Sequence, residues 1–209
     1  MCEDAIIYLK AKDKRLAKVI ETIGELEICQ HTDSFYFLVR EIVGQMVSAA
    51  VKRVIFGRLE AICKQSISPE VISKMQVEDL RAIGLSSAKA NFIHSLAEKI
   101  VSGEFSFDTL TGDSDEEVMR KLTSIKGIGS WTAKMYLLFF LRRDDVLPYE
   151  DGAFLQSYRW LYNTKDSDRK SVEKRCNKWK PYSSIAARYL YRALDTGLTK
   201  QPIKDFLLQ

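Results

Sequence analysis

Two glycines separated by one residue, Gly127 and Gly129, followed by Ser130-Trp131-Thr132, form the stretch of this chain best suited to holding a ligand. Glycine permits positive φ and close backbone approach. A helix opening after Gly129 would present first-turn N–H groups that have no intrahelical acceptor. With the positive end of the helix behind them, Gly127, Gly129, Ser130, Trp131 and Thr132 suit an anion, here a phosphate. An ordinary helix–turn–helix corner with a C-cap glycine would show the same spacing, so both readings stand. Few other side chains offer chemistry. His31 and His94 are the two histidines, which argues against His-based metal sites and Ser-His-Asp triads. Cys2, Cys29, Cys63 and Cys176 are scattered without a Cys-x-x-Cys pair. No zinc site and no iron–sulfur cluster are therefore expected, and the cysteines read as reduced thiols of a cytoplasmic protein.

The elements that must position this corner are helical. Of 209 residues, 46% are hydrophobic, which indicates a globular chain able to bury a core. The net charge of +4, from 32 basic and 28 acidic residues, is compatible with a nucleic-acid partner without demanding one. Met1-Cys2-Glu3-Asp4 is acidic where a signal peptide would be basic, and no apolar run is long enough to span a membrane. Residues 5–23 show one helical pattern, with Leu16, Val19, Ile20 and Ile23 on a face and Gly24 as its stop. Asp33 or Ser34 can cap the next helix. From Phe35 to Phe56, the residues Phe35, Leu38, Val39, Ile42, Met46, Ala49 and Ala50 keep helical spacing. One helix, or two meeting near Gly44, would fit, and Gln45 there is either satisfied by backbone or free to reach a base edge. Ser68-Pro69 opens a helix. Gly84-Leu85-Ser86-Ser87 is a second small corner, structural or touching a groove. Ser114 with Glu117 makes a capping box for the helix entering the glycine turn. Asp151 before Gly152 caps a further helix, Pro181 interrupts a basic aromatic region, and Ser183 or Ser184 caps the last long helix. The architecture read from this is all-α. It is a single unit of two lobes, residues 1–34 plus 111–209 with the hairpin 122–134 and Asp151, and residues 35–110. The site is expected in the interlobe cleft.

The run Ile125-Lys126-Gly127-Ile128-Gly129-Ser130-Trp131-Thr132-Ala133 resembles the helix–hairpin–helix of the DNA glycosylase superfamily. That superfamily follows the hairpin with a Gly/Pro-rich loop and an aspartate. Here Val146-Leu147-Pro148-Tyr149-Glu150-Asp151-Gly152 stands in that place, with Asp151 22 positions after Gly129. Four more stretches resemble the 3-methyladenine DNA glycosylase II branch, in family order. They are Arg15-Leu16-Ala17-Lys18-Val19-Ile20, Gly44-Gln45-Met46-Val47-Ser48, Gly84-Leu85-Ser86 with Lys89-Ala90, and Trp179-Lys180-Pro181-Tyr182-Ser183-Ser184. The extra N-terminal β domain of some members has no counterpart here.

The resemblance implies a monofunctional DNA glycosylase that flips alkylated purines, of the 3-methyladenine and 7-methylguanine type, out of duplex DNA and hydrolyses the N-glycosidic bond. It implies Asp151 as the catalytic carboxylate beside the anomeric carbon. Trp131 and Tyr191 fall on pocket aromatics of the family. Tyr136 is a looser candidate with Trp179 and Tyr182, and Met135 replaces one family aromatic. Leu85 is the assigned wedge, with Ser86, Ser87 and Gln45 as the other candidates near the orphan base. A sodium or potassium ion on the backbone carbonyls of Thr123, Ile125 and Ile128 is implied, with no cofactor required. Bifunctional members carry a lysine two residues after the second glycine; Trp131 stands there, and Lys134 lies three residues further on, so no AP lyase activity is expected. The partner implied is damaged double-stranded DNA, acted on by a monomer, nucleoid-associated if the source is bacterial or archaeal. Excision of oxidised or deaminated bases, or a non-catalytic helix–hairpin–helix DNA-binding protein, are the alternatives.

Overall fold

The computed structural model describes residues 3–27 and 30–208. Cys2 and Cys29 fall outside them; Cys63 and Cys176 are both buried and free. The helices are α1 (Glu3–Lys12), α2 (Lys14–Ile23), α3 (Ser34–Gly44), α4 (Ala49–Ile62), α5 (Pro69–Ile72), α6 (Val77–Ala82), α7 (Ser87–Val101), α8 (Asp115–Thr123), α9 (Ser130–Met135), α10 (Gly152–Tyr162), α11 (Arg169–Cys176), α12 (Ser183–Asp195) and α13 (Ile203–Leu208). The described residues contain no strand, and no helix among them is long and apolar enough to cross a membrane.

The chain forms two compact units. One holds the residues up to 29 together with 142–209, and the other holds residues 30–141. The hairpin therefore belongs with residues 30–141, not with the chain ends as the sequence pattern suggested. The reason is packing: α8 lies on α9, and α9 lies on α3, whose Leu38, Val39 and Ile42 are fully buried. Each such aliphatic side chain removed from water contributes about 1.5–3 kcal/mol. Helix α7 completes this unit, packed against α3, α5 and α6. After Met135 the helix widens into a π-helical turn, Tyr136–Phe140, closed by Leu141 N–H donating to the Tyr136 carbonyl at 2.9 Å.

In the first unit, α2 packs on α1, α10 and α12, and α10 also on α13. The single helix expected over residues 5–23 is broken at Asp13, which takes an extended conformation and caps α2 by accepting from the Arg15 and Leu16 N–H groups. Its other oxygen accepts from Trp179 Nε1 at 3.0 Å, from the Tyr162 hydroxyl and from Lys178 Nζ at 2.9 Å. Burial would raise this carboxyl's pKa, but the hydrogen bonds from Tyr162, Lys178 and Trp179 outweigh burial and hold it below the usual carboxylate range. Trp179 is thereby a buried structural residue, not a ligand-facing aromatic.

Candidate active site

The hairpin is built by two successive turn closures. Helix α8 ends at Thr123. The Ile125 N–H then donates to the Leu122 carbonyl at 3.1 Å, and the Ile128 N–H to the Ile125 carbonyl at 3.0 Å. Gly127 has φ 93°, and a Cβ there would lie 2.3 Å from Phe92 Cγ of α7. Both the conformation and the space demand glycine. Gly129 is the extended N-cap of α9, with no side-chain cap on the helix end and nothing within 4 Å of where a Cβ would point. Ser130 is exposed, Trp131 is half-buried and Thr132 is buried. Ile125 and Ile128 turn their side chains into the core, which leaves backbone as the only chemistry they can offer.

Of the two roles left open for Gln45, the amide takes the one satisfied by backbone. Its Nε2 donates to the Gly127 carbonyl at 2.9 Å and to Thr132 Oγ1 at 3.1 Å. With both bonds made, the amide braces the hairpin and is not the group that reaches a base edge. The residue beside it was missed: Met46, with φ 56° and 101% exposure, stands out from the turn between α3 and α4. Helical spacing had counted Met46 among the apolar face. The signal available was Ser48, whose hydroxyl caps α4 by accepting from the Val51 N–H. A cap at 48 makes 45–47 a turn, so Met46 sits on no helical face.

Leu85 is 5% exposed and faces the core, so it cannot serve as a wedge. Ser86 and Ser87 are exposed at that corner, with Ser86 Oγ accepting from the Lys89 N–H at 3.3 Å. Tyr136 is also corrected. It is 1% exposed, stacked on Phe140 at 4.6 Å and on Phe107 at 6.4 Å, with its hydroxyl 2.8 Å from Ser34 Oγ. Burial pushes its hydroxyl pKa up to about 12, with the Ser34 hydrogen bond opposing. The ring is enclosed, so no base can stack on it. Met135, next to it, is buried as well.

In the other unit, Asp151 opens α10. Its Oδ1 accepts from the Phe154 N–H at 2.7 Å, its carbonyl accepts from the Leu155 N–H, and the side chain is 8% exposed. The loop before it is tied to the start of α12. The Val146 N–H donates to Ser184 Oγ at 2.8 Å, the Ser184 N–H to the Asp144 carbonyl at 2.9 Å, and Ser183 Oγ to Asp145 Oδ1 at 2.5 Å. Neither serine caps α12, as the sequence suggested; Tyr182 is its N-cap and both hydroxyls serve the loop. Tyr191 is half-buried on α12, its ring 6.5 Å from that of Phe154. The Tyr182 ring meets Tyr8 edge-on at 5.4 Å.

A carboxylate that caps its own helix in one unit, and in the other a glycine hairpin whose helix start has no side-chain cap, are the chemistry these two units offer. Comparison with known proteins agrees. Residues 39–181 match the family described as HhH-GPD superfamily base excision DNA repair protein. The chain is 31% identical over 207 residues to DNA-3-methyladenine glycosylase 1 of Schizosaccharomyces pombe, covering 96% of this chain and 91% of that protein. Among solved structures, a DNA-3-methyladenine glycosidase from Bacillus halodurans superposes with a TM-score of 0.81 at 33% identity, covering 98% of this chain and 96% of the other. The S. pombe 3-methyladenine DNA glycosylase Mag1, solved in complex with abasic DNA, gives 0.83 at 30% identity, covering 92% and 97%. This chain belongs to the HhH-GPD superfamily of base excision DNA repair proteins.

Proposed function

We propose that the chain is a monofunctional DNA glycosylase that releases alkylated purines, 3-methyladenine and 7-methylguanine among them, from duplex DNA. The observation that carries this is similarity over nearly the full length of both chains to a DNA-3-methyladenine glycosylase. The site residues supply a mechanism. The hairpin backbone from Gly127 to Thr132 takes a phosphate near the lesion and fixes position without reading sequence. A target base inside a duplex must be extruded before its bond can be cut. Met46 fills the vacated stack, supported by its full exposure on a turn braced to the hairpin.

Methylation at N3 of adenine or N7 of guanine leaves the base cationic, hence a good leaving group that needs no strong general acid. As the base departs, C1′ gains oxocarbenium character. The Asp151 carboxylate stabilises that charge and orients water, which adds its oxygen to C1′ and yields free base and an abasic site. Trp131 and Tyr191 are the half-buried aromatics that suit a cationic ring by stacking and cation–π attraction. Trp131 occupies the place where a Schiff-base lysine would stand, so strand cleavage is not part of the reaction. A monovalent cation on the carbonyls of Thr123, Ile125 and Ile128 belongs to the same reading. Its support is the negative end of α8 and a set of hard oxygen donors, of which the Ile125 carbonyl keeps a second lone pair beyond its bond to Ile128.

The test is Asp151→Asn on methylated duplex DNA, with chromatography of the freed bases. Asparagine caps a helix as well as aspartate does, so the fold is retained. Base release should fall by about a hundredfold or more with DNA binding unchanged. Release at the wild-type rate would leave a DNA-binding protein without catalysis. Release from hypoxanthine or 8-oxoguanine duplexes alone would move the substrate class.

A further inference from the structure

Helix α7 touches both of the turns assigned to DNA. Lys89 extends its Nζ to the Val43 carbonyl at 2.9 Å and the Gln45 carbonyl at 2.6 Å, at the C-terminal end of α3. Three residues on, Phe92 lies against Gly127 of the hairpin, on the same helix face as Lys89. The triangle is closed by the Gln45 amide, which donates to the Gly127 carbonyl and to Thr132 Oγ1. Around Met46 the turn's further backbone bonds among the described residues are Gln45 N–H to the Ile42 carbonyl at 3.3 Å and Val47 N–H to the Gly44 carbonyl at 3.4 Å. Both are long for N–H···O bonds, whereas those from Lys89 are charge-assisted and short. A side-chain methionine at φ 56° is held by its surroundings rather than by its own preference.

We infer that Lys89 is a positioning residue: its ammonium clamps the turn that carries Met46 at a fixed register to the hairpin, so that wedge and phosphate grip are set as one piece. This rests on the glycosylase reading above. A lysine in a DNA-binding protein is ordinarily taken as a phosphate contact. Here the ammonium is directed inward to two carbonyls, and burial lowers its pKa from the ordinary lysine value. Both features fit an internal strut. Lysine is suited to the task because a long stem ending in several donors can cap two helix-end carbonyls at once.

The experiment compares wild type, Lys89→Met, Met46→Ala and the double variant, below their melting temperatures. It measures single-turnover base release from methylated duplex, fluorescence of 2-aminopurine opposite the lesion, and the salt dependence of DNA affinity. Lys89→Met should slow release about tenfold and reduce the 2-aminopurine signal, as expected for a misplaced element. The slope of log affinity against log salt should not change, because no phosphate contact is removed. The double variant should be no more than about threefold slower than the slower single variant, since both act through one element. Lys89→Gln serves the same comparison if Lys89→Met does not fold. A slope reduced by about one would make Lys89 a phosphate contact and overturn the inference. So would losses that multiply in the double variant, or a Lys89→Met enzyme that releases base at the wild-type rate. If Met46→Ala alone has no effect, the wedge reading fails and Lys89 has nothing to position. If Met46→Ala slows release and Lys89→Met does not, the clamp fails and the wedge stands.

Discussion

Residues 30–141 contain two corners of nearly the same construction. At the first, α6 runs through Gly84, Leu85 and Ser86 into α7; at the second, α8 runs through Gly127, Ile128 and Gly129 into α9. Each has a glycine at positive φ, 106° and 93°, then a buried aliphatic residue, then an extended N-cap. They part at the cap. Ser86 satisfies its own helix by accepting from the Lys89 N–H, whereas Gly129 brings no side chain to its helix end. They part again beneath the first glycine, where Phe92 is pressed against Gly127 but nothing comes within 3.6 Å of a Cβ at Gly84. The first corner is closed upon itself. The second is fitted tightly from below and has no side-chain cap at its helix start, which suits an external acceptor. A single cap residue thus separates two corners of otherwise similar build.

The largest way to break this contrast is alanine at the two positive-φ glycines. Gly127→Ala combines a left-handed conformation with a clash against Phe92 and should cost about 3 kcal/mol in urea unfolding. Gly84→Ala meets only ordinary van der Waals contacts, with Arg58 and Ile55 at 3.6–3.8 Å, and should cost only the conformational strain, about 1–2 kcal/mol. Equal losses at the two sites would mean that the packing beneath the hairpin does not matter. Next comes Gly129→Ser, which gives the hairpin the cap that the other corner has. Its φ of −88° and open surroundings accept a serine, so stability should hold or rise by a few tenths of a kcal/mol. DNA affinity, measured by fluorescence anisotropy, should fall about tenfold as the side chain competes for the helix end. The smallest effect is expected at Ser86→Ala, a loss of about 1 kcal/mol in thermal unfolding with base release unaltered at temperatures where the variant is folded.

Much of this was written locally in the chain. The break near Gly44, the caps at Asp33, Ser68, Ser86 and Asp151, and the capping box at Ser114 and Glu117 all involve residues within three or four positions of one another. What the sequence did not disclose depends on distant partners. Asp13 breaks a helix that periodicity would continue, because Tyr162, Lys178 and Trp179 arrive from the far end of the chain to hold it. Gln45 and Gly127 are likewise joined across a long separation. Spacing alone did not show that Tyr136, unlike Trp131, is enclosed. Only the flanking rings of Phe107 and Phe140 reveal which is enclosed. Leu85 faced inward for the same reason: corners display polar residues and bury their aliphatic ones, and spacing alone does not say which way a turn rotates. The hairpin's membership of residues 30–141 also follows from packing, which no motif encodes.

The sulfur atoms of this protein are unequally protected. Cys63 and Cys176 are sealed away, and burial raises the pKa of each thiol, keeping it in the unreactive protonated form. The Met46 thioether has no such shelter, and peroxide would convert it to a polar, chiral sulfoxide. On the wedge role proposed for Met46, that single oxygen atom would blunt an apolar tip that slides between bases, and a methionine sulfoxide reductase would restore it. Oxidant sensitivity is thus a direct corollary of holding a methionine in open water.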